Sequence, residues 1–199
     1  VFKDKAQLPK SLKDFLDPRW KGKLVLADPE VSGNTLTFLM TMLATGRLDW
    51  GTLEGLARQD ILFVRSNPDS VRMVASGERA LSPMISSFNI MTARIKGQPI
   101  DYYVLSEGSV VVQSLLGLMS DAPHPNGAKL LIEVMTSPEA ESALSEGGVF
   151  WPAHPDAPPV ATLPKLADLH PVSPPPPSPA DVGNIQEFLK KFKTVFGRQ

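Results

Sequence analysis

Lys23-Leu24-Val25-Leu26-Ala27-Asp28-Pro29-Glu30-Val31-Ser32-Gly33-Asn34-Thr35 is the stretch on which the fold turns. Its four consecutive apolar residues, Leu24 to Ala27, predict a strand covered on both faces, as in a parallel sheet. Asp28-Pro29 ends the strand, and Ser32-Gly33-Asn34-Thr35 opens a helix. The apolar residues Leu36, Phe38, Leu39, Met42 and Leu43 then recur at helical spacing and stop at Gly46. A loop at the carboxyl end of a strand, feeding a helix amino end, aims unpaired backbone N–H groups and a positive dipole end into the crevice beside it. On chemistry alone, Ser32 to Thr35 has two readings: contacts for an oxygen-rich ligand, or a plain helix cap.

The pattern repeats outward from there. Ser11 is placed to cap a short helix through Leu16, closed by Asp17-Pro18 before the strand. Leu48 to Ala57 reads as a helix with Asp49 near its start, and Ile61 to Val64 as the next buried strand. Ser66-Asn67-Pro68-Asp69 opens a further helix that turns Val71, Val74 and Ala75 inward until Gly77. Ala80-Leu81 leads a third strand into Pro83 to Asn89, and a helix follows through Lys96, closed by Gly97. Ser86, Ser87 and Asn89 are the polar members of that second loop, while Met84 and Phe88 either wall a pocket or fill core. Strand, loop and helix in recurring order predict an α/β layer structure with right-handed crossovers.

Beyond residue 99 the character changes. Ile100 to Leu105 and Ser109 to Val112 read as strands joined by Ser106-Glu107-Gly108, which is either a turn or a crossing between lobes. Pro125 to Met135 and Pro138 to Leu144 read as short helices, ended by Gly147-Gly148. Eleven of the twenty prolines fall between Pro152 and Pro179, which marks an extended connector. The last helix, Val182 to Phe196, carries Ile185, Phe188, Leu189, Phe192 and Phe196 on one side, a face that must be covered by the rest of the chain or by a partner.

Composition excludes several classes. An apolar share of 42% with 21% charged residues over 199 positions is ordinary for a folded chain. A net charge of −1, without basic runs interleaved with aromatics, argues against nucleic acid as a partner. Without cysteine there is no disulfide framework, thiolate metal site or Cys nucleophile. No apolar run is long enough to cross a bilayer, so direct membrane insertion is not expected, nor is a basic-then-apolar leader visible at Val1. His124, His154 and His170 have no second ligand at helical spacing, so no metal site is assigned, and no cofactor. There is no Gly-x-Ser-x-Gly elbow or Walker loop; Asp28, Glu30 and Asp60 are candidate acids that nothing marks as a working pair. Arg65 and Arg72 are either anion contacts or solvated surface positions.

The ordered series Leu8-Pro9-Lys10-Ser11, Asp14-Phe15, Asp17-Pro18-Arg19-Trp20-Lys21-Gly22-Lys23, Asp28-Pro29, Ser32-Gly33, Gly77-Glu78, Gly97-Gln98-Pro99, Glu107-Gly108, Asn126-Gly127-Ala128-Lys129 and Ser137-Pro138-Glu139-Ala140 resembles the periplasmic substrate-binding proteins of ABC transporters. Within them it is similar to the ferric iron-type class, which also includes binders of polyamines, phosphonates, thiamine and sugar phosphates. The resemblance implies a type II periplasmic-binding α/β fold of three αβα layers: one lobe with part of a second, closing on a small solute before docking on a permease in the inner membrane. It implies a periplasmic or extracellular, membrane-associated location and no catalysis. It starts in the middle of such a protein. Residues 1–104 correspond to the second lobe, 105–155 to the returning part of the first, 156–181 to a proline-rich connector and 182–199 to a helix packing back on the second lobe. The implied ligand contacts are Ser32, Gly33, Asn34, Thr35, Ser86, Ser87 and Asn89, with Glu107 and Gly108 in the hinge. Ferric binders of the class place adjacent tyrosines where this chain has Ser87-Phe88, while Tyr102 and Tyr103 lie in an expected strand whose neighbours face opposite ways. Tyrosinate coordination of Fe(III) is thus disfavoured, and a polar organic solute, an anion or a chelated metal suits hydroxyls and amides better. The alternatives are an α/β enzyme with its site at the same strand ends, using Asp28 or Ser32, and a sensor or interaction module built on the proline-rich segment and last helix.

Overall fold

The computed structural model describes residues 7–147, 150–161, 163–176 and 181–198. Strand β1 (Val25–Ala27) is buried at every position and pairs in parallel with β2 (Leu62–Val64), in the register Val25 to Leu62, Leu26 to Phe63 and Ala27 to Val64. Its other edge meets Leu81 through a single parallel bridge at Leu24. Pairing goes no further on that side, and Pro83, which has no N–H to give, follows two residues later. Instead of a full third strand there is a bridge, with Val25 N–H donating to Leu81 O at 3.1 Å.

Each helix starts where its sequence supplies a cap. Ser11 and Asp14 form a capping box on a 3-10 helix, Leu12–Leu16. Ser32 caps α1 (Gly33–Ala44), Asp49 caps α2 (Trp50–Ala57), and Ser66 caps α3 (Asn67–Ala75), with Pro68 in its first turn. Helix α4 spans Ser87–Ile95, so Ser87 and Asn89, expected in a loop, stand in its first turn. One apolar cluster joins Leu12, Phe15 and Trp20 to Leu24 of the sheet, Phe38, Leu39 and Met42 of α1, and Leu53 and Leu56 of α2. A second cluster joins Val71 of α3, Ala93 of α4 and Ile100. The sheet, with β1 buried throughout, separates these two helical layers, giving three αβα layers.

The last helix, α7 (Asp181–Val195), seats Phe188 and the fully buried Phe192 in the first cluster. Phe63 meets Phe192 and Phe196 edge-on, at ring separations of 5.7 and 5.2 Å. The apolar face noted in the sequence is covered by the chain's own core.

Two further expectations need correction. Residues 100–105 form no strand: Ile100 packs into the second cluster, Tyr103 and Leu105 against the first, and Ser106 N–H donates to Lys10 O at 2.8 Å. Side-chain packing holds this segment, and among the described residues no strand pairs with it. The following strand, β3, is only Ser109–Val110, and it pairs in parallel with β4 (Pro171–Val172), inside the tract read as a plain connector.

The chain divides into two compact units, residues 1–112 with 169–199, and residues 113–168. The second contains α5 (Pro125–Met135) and α6 (Pro138–Ser145), the latter capped by Ser137. There Glu141 Oε2 accepts the N–H of His154 at 2.7 Å, and Trp151 Nε1–H donates to Pro164 O at 2.9 Å. Leu130, Leu131 and Val134 of α5 are exposed. Gly148, part of the expected stop after α6, and Pro177 and Pro179 of the proline tract lie outside the described residues.

Candidate functional site

Three helices of the first unit begin at one place. Ser32, the N-cap of α1, is buried, and its Oγ accepts the N–H of Thr35 at 3.4 Å while lying 3.0 Å from Thr35 Oγ1. Asn67, the first residue of α3 and also buried, donates from Nδ2 to that same Ser32 Oγ at 3.0 Å. Its Oδ1 accepts the backbone N–H of Ser86, the residue before α4, at 3.0 Å. One carboxamide therefore ties the amino ends of α1, α3 and α4 together.

That bridge divides the expected contacts into two groups. Ser32 and the fully buried Thr35, whose Oγ1 also lies 3.7 Å from Met84 Sδ, spend their hydroxyls inside the network. Gly33, Asn34 and Ser87 are exposed, and Asn89 is half-buried. At the first two positions of α1, Gly33 and Asn34, backbone N–H groups have no acceptor within the helix, and a Cβ added at Gly33 would meet nothing within 4 Å. Ser86 makes no side-chain cap on α4, where the Asn89 N–H turns to Ser86 O at 3.0 Å. The three helix amino ends joined by Asn67, with the Gly33 and Asn34 amides, form a wall suited to an anionic or oxygen-rich group. Arg65 and Arg72 are exposed.

Asn67 is the residue of the candidate site that sequence reading missed. Its helix already has a cap in Ser66, so the carboxamide has no local use, and that surplus is the one signal available.

Just before the wall stands Asp28. Burial pushes its carboxyl up, but hydrogen bonds from Arg198 and the Glu30 N–H, with the charges of Arg198 and Lys193, outweigh this and hold it below the ordinary aspartate value. It is an engaged ion-pair partner, not a free acid. Tyr103, expected in a strand, packs on the core instead, and burial drives its phenol well above the usual range. Tyr102 stacks beneath Arg94, 5.5 Å from the ring centroid. Tyr103 is therefore not disposed to become a phenolate. Among the described residues, no three His, Cys, Asp or Glu side chains gather as a metal site would require.

Glu107 and Gly108 stand where the chain is about to leave the first unit. Glu107 Oε1 accepts the Leu12 N–H at 2.7 Å, its Oε2 accepts the Ser106 hydroxyl at 3.0 Å, and its backbone O accepts Arg47 Nη1–H at 2.8 Å. Gly108 is buried with φ +86, and a Cβ there would sit 2.2 Å from His170 O.

A strand-end wall of helix amino termini in an αβα unit lies where open α/β sheets place small ligands. The bacterial extracellular solute-binding protein family matches residues 3–173, and the chain belongs to that family. A relative from Haemophilus influenzae, described as an uncharacterized protein, is 26% identical over 141 residues, which is 68% of this chain and 39% of that protein. Among solved structures, iron-bound HitA from Pseudomonas aeruginosa superposes with a TM-score of 0.71 at 21% identity, covering 97% of this chain and 63% of its own. The substrate-binding protein of an ABC transporter from Agrobacterium tumefaciens gives 0.74 at 13% identity, covering 94% and 59%. The ferric binding protein from Campylobacter jejuni gives 0.61 at 16%, covering 99% and 64%. The fold is that of the type II periplasmic binding proteins. The chain spans under two thirds of the length of each of these relatives.

Proposed function

We propose that this chain is the solute-capturing part of a bacterial ABC importer, working in the periplasm or at the outer face of the membrane and delivering its solute to a permease. The carrying observation is the Asn67 bridge, which presents the amino ends of α1, α3 and α4 as one wall. In this reading Gly33, Asn34, Ser87 and Asn89 contact a small polar or anionic solute, such as a chelated metal or a phosphonate. Ser32, Thr35 and Ser86 hold the wall in shape. Glu107 and Gly108, beside the point where the chain passes to residues 113–168, serve as the hinge for closure. No bond-making step is part of the reading, and the ion-paired state of Asp28 supports that.

Thermal melting against a panel of iron chelates, polyamines, phosphonates and phosphosugars tests it. A solute present at about a hundred times its dissociation constant should stabilise the protein by about 2.7 kcal/mol. Ser87→Asp sets a carboxylate at the wall and should abolish the shift for any anionic solute. A panel without a single shift, or a shift that survives Ser87→Asp for an anionic solute, contradicts the reading.

A further inference from the structure

The carboxyl end of α7 reaches the turn that leads into the candidate site. The helix closes in a Schellman turn: Gly197, at φ +61, donates its N–H to Thr194 O at 3.3 Å, and Arg198 N–H returns to Lys193 O at 2.9 Å. That reversal carries the Arg198 side chain over Phe63, 4.8 Å from the ring centroid, and onto the carboxylate of Asp28. Lys193, near the helix end, pairs with Glu30 at 2.8 Å, and Arg198 Nη1 lies 3.9 Å from the same carboxylate. Two cations from one helix end thus meet two carboxylates on either side of Pro29, with Asp28 and Arg198 170 positions apart in the chain.

Asp28 organises everything that follows it. Its backbone O accepts the N–H groups of Val31 and Ser32 at 3.1 and 2.8 Å, and its Oδ1 accepts the Glu30 N–H at 3.0 Å. The bond from the Ser32 N–H to the Asp28 backbone O fixes Ser32, the N-cap of α1. The Asp28 and Arg198 side chains are 14% and 28% exposed, so this pair is screened less than a surface bridge, and its guanidinium is pinned from a second side by the Phe63 ring.

We propose that Arg198, delivered by the Gly197 turn and seconded by Lys193, is a positioning residue that clamps the Asp28–Ser32 turn and so sets where the amino end of α1 points. The consequence for ligand capture rests on the solute-site reading above; the clamp itself does not. Helix α7 thereby governs the geometry of the wall.

Amide hydrogen exchange on the whole chain is the test, and it needs no ligand. In Arg198→Met the Val31 and Ser32 amides should exchange at least about tenfold faster, while Met42 and Leu43 amides inside α1 keep their rates. Asp28→Asn, approached from the other side of the pair, should give the same local pattern, and Arg198→Lys should recover most of the protection. Unchanged rates at Val31 and Ser32, acceleration spread evenly over the first unit, or no recovery with lysine would each overturn the clamp. Failure of every solute in the melting panel would leave this pattern intact, so the two ideas fall separately.

Discussion

Asn67 carries more of the site than its single side chain suggests, because both ends of the carboxamide are used in a buried setting. Replacing it with alanine leaves the Ser86 N–H without its acceptor and takes one of three donors from Ser32 Oγ. The expected cost is about 1–3 kcal/mol, read as a lower denaturation midpoint with an unchanged slope. Asn67→Asp is a sharper probe. Its carboxylate still accepts from Ser86, the Ser32 hydroxyl can turn to donate, and the new charge lies where three helix amino ends favour it. Asn67→Asp should therefore destabilise less than Asn67→Ala, and it should abolish capture of an anionic solute by placing a tethered anion at the wall. If aspartate proves the more damaging of the two in denaturation, the three helix ends do not create the positive potential assigned to them.

Among the elements, α7 shows how far local pattern carries. Its Phe188, Phe192 and Phe196 recur at helical spacing, and that alone foretells a face needing cover. What covers it is a tertiary matter: Phe63 of β2, Trp50 of α2 and the first cluster. Phe192, fully buried, stacks 4.4 Å from Phe196, so Phe192→Ala should cost about 3–5 kcal/mol in denaturant unfolding. A cost below about 1 kcal/mol would mean that α7 is a loosely attached arm. The same division explains which elements were legible. The caps at Ser11, Ser32, Asp49, Ser66 and Ser137 are readable because a cap is a contact over three residues. Residues 100–105 misled because β-rich composition reports a half-buried surface, and here packing against two clusters supplies it without a ladder. The loops of the candidate site were readable as strand-end corners, but their division into buried and open members was not. That division follows from Asn67, 35 residues from Ser32 and 19 from Ser86, a contact no local rule reaches.

At the scale of the molecule, the chain leaves its first unit after Val112 and returns at Leu169, and the parallel pair β3–β4 stands beside both crossings. Gly108 is the residue on which that pairing depends. Its φ of +86 disfavours any side chain, and an added Cβ would lie 2.2 Å from His170 O and 3.2 Å from Val172 Cγ2. The His170 carbonyl cannot yield easily, since it accepts the Ser109 N–H at 3.3 Å and His170 is itself at φ +48. Gly108→Ala therefore combines backbone strain with a push of β4 away from β3, for an expected loss of about 2–4 kcal/mol. Gly183 of α7 is the matched control, because a Cβ there meets nothing within 4 Å. Gly183→Ala should be neutral or stabilising by up to about 1 kcal/mol. Local exchange separates strain from general weakening: in Gly108→Ala the Val111 amide, which donates to Val172 O at 2.9 Å, should lose protection before the α1 amides do. Equal tolerance of alanine at 108 and 183 would show that the β3–β4 pair is not held by the close approach of Gly108 to His170. The hinge role proposed for Glu107 and Gly108 would then lose its structural basis.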